Sequence, residues 1–82
     1  MTQKEFEQAP LKEKVYRVFE KGKEITSRQF LHFNIKLYTL YDFYAEVWYV
    51  PAANKIQKVE TLSVDEILSI YKNQFDISKL LK

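Results

Sequence analysis

From Leu31 the chain alternates for eight residues, with Leu31, Phe33, Ile35 and Leu37 set against His32, Asn34, Lys36 and Tyr38. Strict period two is the pattern of a strand buried on one face, and it places the odd positions on the core side. A second run of strand formers follows at residues 44–50. It is aromatic or β-branched apart from Ala45 and Glu46. Tyr41, Asp42 and Phe43 lie between the runs and read as a three-residue turn, with Asp42 suited to an unusual backbone angle. That turn length sets Phe33, Ile35 and Leu37 against Ala45, Val47 and Tyr49. The other face then carries Lys36, Tyr38, Tyr44, Glu46 and Trp48. A two-residue turn would invert the second strand, because a slip of one residue exchanges its faces.

Pro51, Ala52, Ala53 and Asn54 read as the next turn, and a third strand runs over about residues 55–62. Ile56, Val59 and Leu62 are three apart, which fits no strict alternation, and a β-bulge is the device that would reconcile them. Glu46 and Glu60 are candidates to face each other across these strands. Upstream, Leu11, Val15, Val18 and Phe19 make an apolar helical face behind Pro10, with Glu13 and Arg17 four apart. Gly22 stands where a left-handed helix cap belongs. Phe6 either joins this helix or lies beyond a break at Pro10. Residues 26–30 carry no clear periodicity. Downstream, Ser63 and Glu66 frame a capping box. Ile67, Leu68, Tyr71 and Phe75 form the inward face of the helix, Asn73 weakens its end, and residues 76–81 suit a short final turn that tucks in Ile77, Leu80 and Leu81. The expected fold is α+β, a single domain over 1–82 with order α-β-β-β-α. It is a three-stranded antiparallel meander with both helices on one face. Its other face is then open, unless residues 1–9 with Phe6 fold across it.

The chemistry is sparse. Of the 82 residues, 46% are hydrophobic and 16% aromatic, with one Gly and two Pro, which is the composition of a folded chain rather than a disordered one. There is no Cys and a single His, His32, so disulfides and thiolate metal sites are excluded and no zinc ligand set is evident. One glycine cannot build a phosphate-binding loop. No nucleophile is paired with an orienting base, so no catalytic residue, metal or cofactor is assigned and an enzyme is not expected. The net charge of +2 favours neither nucleic acid nor an anionic membrane by default. No run approaches the length of a membrane span, and the acidic N-terminus does not resemble a signal peptide, so a cytoplasmic location is expected.

Tyr38, Tyr44 and Trp48, with Lys36, Glu46 and Lys58, are the candidate partner-binding residues. Tyr and Trp concentrate at interface centres. The expected function is a non-catalytic protein-interaction module acting as a homodimer. The alternative is a single-stranded nucleic-acid binder using the same aromatics with Lys36 and Lys58. The element order also resembles that of the double-stranded-RNA-binding domain. That family holds phosphate with basic residues at the start of its last helix, where this chain has Ser63, Val64, Asp65 and Glu66. Residues 42–49 and 51–56 resemble small uncharacterised bacterial proteins with a helix–meander–helix plan. That resemblance implies the fold and a bacterial origin, and carries no functional residue.

Overall fold

The computed structural model describes residues 1–72. The expectations for Asn73, Phe75 and residues 76–81 lie outside them. The elements are α1 (Gln3–Gln8), α2 (Leu11–Lys21), β1 (Lys23–Phe30), β2 (Phe33–Leu40), β3 (Phe43–Val50), a 3-10 turn (Pro51–Ala53), β4 (Lys55–Leu62) and α3 (Val64–Tyr71). The class is α+β, but the antiparallel meander has four strands in the order β1-β2-β3-β4, not three. The additional strand is β1. It sits on the sheet edge and is mostly exposed, and its register shifts between Glu24 and Thr26. Exposure and the shift together erase the alternation that a half-buried strand would show.

The β2–β3 turn holds two residues, not three, because Leu40 pairs with Phe43 across Tyr41 and Asp42. Tyr41, rather than Asp42, takes the positive φ, at 53°. This turn inverts β3 relative to the three-residue expectation. Leu40, Tyr38, Lys36 and Asn34 share a face with Phe43, Ala45, Val47 and Tyr49. Leu37 and Ile35 share the other with Glu46 and Trp48. A bulge is present in β4 as a register shift beyond Trp48, which pairs with Lys58 while Tyr49 pairs with Ile56; it brings Ile56 and Val59 to the first face, but Leu62 stays on the second. Glu46 and Glu60 are directly opposite.

The helices cover both faces of the sheet, not one. On the first face Phe6 of α1 and Val18 of α2 pack with Leu40, Phe43, Ala45, Val47 and Val59. On the second, Ile67 and Tyr71 of α3 pack with Leu37 and Leu62, flanked by Tyr44. Inverting β3 gives each face its own apolar residues, and each needs a cover.

The break at Pro10 is real, and α1 is a separate helix. Its capping box is closed by the Glu5 N–H on Thr2 Oγ1 at 3.1 Å and the Thr2 N–H on Glu5 Oε1 at 2.9 Å. Phe6 is thereby planted against Phe43, ring centroids 5.3 Å apart. The terminal segment does cover the sheet, on the face that holds Tyr38. Gly22 caps α2 with φ −81°, not in the left-handed region. Its lack of a side chain is needed for a different reason. A Cβ there would lie 2.4 Å from the Val18 carbonyl oxygen and 3.3 Å from the Tyr38 ring. The α3 capping box is present as expected, with the Glu66 N–H on Ser63 Oγ at 3.1 Å and the Ser63 N–H on Glu66 Oε1 at 2.9 Å.

Candidate functional site

Helices α1 and α2 cover only part of the first sheet face. Past Val18 that face opens into an apolar groove of about 350 Å³, floored by Asn34, Lys36, Tyr38, Val47, Tyr49 and Ile56 and overhung by Phe19. Its size falls within the range of ordinary ligand and side-chain pockets. The sequence set Phe19 on the inward face with Val15 and Val18. One residue past Val18, it lies on the flank of the helix and is 62% exposed. Tyr16, three residues earlier on the same flank, is 60% exposed and donates its hydroxyl to Glu20 Oε2 at 3.1 Å. Three and four residue spacings align Tyr16, Phe19 and Glu20 as one ridge beside the groove.

Polar groups rim the groove in pairs. Lys36 Nζ lies 3.7 Å from Glu24 Oε1, Asn34 Oδ1 accepts from Gln29 Nε2 at 3.1 Å, and the Tyr49 hydroxyl donates to Asn54 Oδ1 at 2.5 Å. Tyr38 is half-buried, and that burial raises its pKa above the ordinary phenol value.

The six residues singled out from the sequence do not form one surface. Lys36 and Tyr38 line the groove. Tyr44 packs beside the α3 cluster on the opposite face. Lys36 and Glu46, expected on one face, lie on opposite ones, and Glu46 is 1% exposed on the second. There Glu46 accepts from Arg28 Nε at 3.0 Å, from Arg28 Nη2 at 3.2 Å and from the Tyr71 hydroxyl at 2.5 Å. Those bonds hold the Arg28 guanidinium above its ordinary pKa, against the opposing effect of burial. Burial first, and the bond to Glu46 second, push Tyr71 well above a normal phenol. A fork of two N–H···O bonds to a buried carboxylate fixes geometry. It ties β1, β3 and α3 together.

Trp48 is also built into its surroundings rather than displayed. Lys58 Nζ sits 4.1 Å from its ring centroid, Arg28 lies over it at 5.4 Å, and Phe33 and Phe30 meet it edge-on at 5.0 and 6.2 Å. Lys58 in turn pairs with Glu60 at 2.8 Å. The joint platform of Tyr38, Tyr44 and Trp48 with Lys36 and Lys58 is therefore not assembled. His32 is not on a strand. It stands exposed in the two-residue β1–β2 turn, its ring 4.3 Å from that of Phe33. Among the described residues no group of three or more His, Cys, Asp or Glu side chains could hold a metal ion. No helix among them is long and apolar enough to cross a membrane.

The groove could not be assembled from the sequence while the β2–β3 turn length was misread, because Val47 and Tyr49 then fall on the wrong side of Tyr38. Phe19, four residues past Val15, carries no sign in the sequence that it leaves the buried face. Comparison of the chain with protein-family models, with curated proteins and with solved structures finds no match.

Proposed function

We propose that this protein is a non-catalytic interaction module that pairs with a second copy of itself through the groove face. The observation that carries the reading is the exposed Phe19 ridge beside an apolar groove on the same surface. A projection and a recess on one face make that face self-complementary, which is what a two-fold interface requires. Charge supports the same occupant. The ridge carries Glu20 and the groove carries Lys36, so the two-fold arrangement that seats Phe19 in the opposing groove brings Lys36 of one copy toward Glu20 of the other. Exposed aromatic side chains clustered beside an apolar recess are uncommon on a true monomer.

The test is molar mass by light scattering over a wide concentration range, on the parent chain and on Phe19→Ser. The parent should approach twice 9.9 kDa as concentration rises. Phe19→Ser should remain a monomer with an unchanged circular dichroism spectrum, because Phe19 is mostly exposed within one copy. A parent chain that is monomeric throughout, or a dimer indifferent to Phe19→Ser, overturns the reading.

A further inference from the structure

The net charge of +2 conceals a polarised molecule. No Asp or Glu occurs in residues 25–41 or 47–59, stretches that hold Arg28, His32, Lys36, Lys55 and Lys58. The antiparallel register brings the His32 turn and Lys55 to one end of the sheet, where the β1–β2 turn and the Pro51–Ala53 turn lie side by side, with Arg28 and Lys58 a little further in and Lys36 at mid-strand. That end is apolar as well as basic. Pro51, Ala52 and Ala53 are exposed, Phe30 is 48% exposed, and Leu31 at the tip of the turn is 80% exposed.

The two-residue β1–β2 turn requires a left-handed residue at position 31, as the β2–β3 turn does at Tyr41, but nothing in the fold requires that residue to be leucine. Its φ is 55°, in the left-handed region that Asn, Asp and Gly tolerate and that Leu rarely occupies. Its side chain gains almost nothing from packing. Residues held at a local cost without an internal return point to a use outside the chain.

We propose that this end of the sheet docks on an anionic lipid surface, with Leu31 and Phe30 entering the headgroup–acyl boundary and the surrounding cations meeting lipid phosphate. An aliphatic residue at the tip, Leu31, suits hydrocarbon rather than base stacking, and Trp48, the largest ring nearby, already has Lys58 over its face. Lys55 forms no salt bridge among the described residues. The Lys58–Glu60 pair is exposed, and such a pair contributes little and exchanges readily for other anions. Arg28 remains committed to Glu46 and sets the base of the tip. Docking of this kind is peripheral and reversible, without a membrane-spanning helix. It uses Leu31, Phe30, Lys55 and Lys58 at the end of the sheet and none of the groove residues, Lys36 included, so it stands independently of self-pairing.

The test is co-sedimentation at low ionic strength with vesicles of phosphatidylcholine alone and with about a third phosphatidylserine. Phosphatidylserine vesicles should carry the parent chain down, phosphatidylcholine vesicles should not, and added salt should release it. The informative variant is Leu31→Asn. Asn suits a positive φ, so its unfolding temperature should equal or exceed that of the parent, while its partitioning onto phosphatidylserine vesicles should fall about tenfold. No sedimentation of the parent chain at low salt overturns the proposal, as does unchanged partitioning of Leu31→Asn. Binding to a single-stranded oligonucleotide without binding to vesicles would assign the end to nucleic-acid phosphate instead and equally overturn it.

Discussion

Replacing Arg28 with Ala should destabilise the domain far more than its position on an edge strand suggests. The substitution leaves the Glu46 carboxylate, 1% exposed, with only the Tyr71 hydroxyl of its two described donor residues. Breaking a fully buried ion pair from one side costs about 3–5 kcal/mol, because the surviving charge is stranded. The Arg28 side chain is 17% exposed, so water can approach once it is gone, and the cost is discounted to about 2–4 kcal/mol. For a domain of this size that lowers Tm by roughly 10–25 °C. Thermal and urea unfolding followed by Trp48 fluorescence reads the change directly. Substituting the whole group at once, as Arg28→Met with Glu46→Leu and Tyr71→Phe, should recover most of the loss, since no buried charge then remains. A loss below about 1 kcal/mol for Arg28→Ala would refute the reasoning. A triple variant no more stable than the single one would do the same, because it would show the cost to be lost packing rather than a stranded charge.

Phe6→Ala should cost about 3–5 kcal/mol by opening a cavity against Phe43, and should expose the α1 amides to hydrogen exchange while those of α3 stay protected. Gly22→Ala should destabilise by about 1–3 kcal/mol in chemical denaturation, since its Cβ would lie 2.4 Å from a backbone oxygen. The Tyr71 pKa is raised in the folded state, so its neutral form stabilises the fold fully below the unfolded value near 10, and that contribution is lost as pH rises through the folded value. Unfolding free energy should therefore fall above about pH 10, and the slope should be shallower in Tyr71→Phe when both are measured by urea titration.

The parts of the fold that were legible in the sequence are those with strong local chemistry. The α3 capping box, the alternation of β2 and the bulge between Ile56 and Val59 are each visible within a few residues, whereas Leu62 falls on the other face from those two. The capping box of Thr2 and Glu5, which marks α1 as a helix of its own, is equally local but was not among the features read from the sequence. What the sequence left ambiguous was parity. Asp42 is the residue best suited to a tight turn, yet Tyr41 takes the left-handed conformation, and that shortens the turn by one. One residue of turn length exchanged the two faces of β3. It moved Glu46 and Trp48 away from Tyr38, and placed Val47 and Tyr49 in the groove. Glu46 shows why no single-strand reading could recover the buried network. A glutamate in a strand reads as solvated until Arg28, two strands away in the register row beside it, is known to reach over it.

Self-pairing through the groove face is the central claim, and a mixed-label NMR experiment tests it most directly. One copy is labelled on its Phe rings and the other on its Val and Ile methyls, and only contacts between copies are recorded. Contacts from the Phe19 ring to the Val47 and Ile56 methyls of the other copy are the predicted result. A dimer in which those contacts are missing, while others arise from β1 or from the second sheet face, would contradict it.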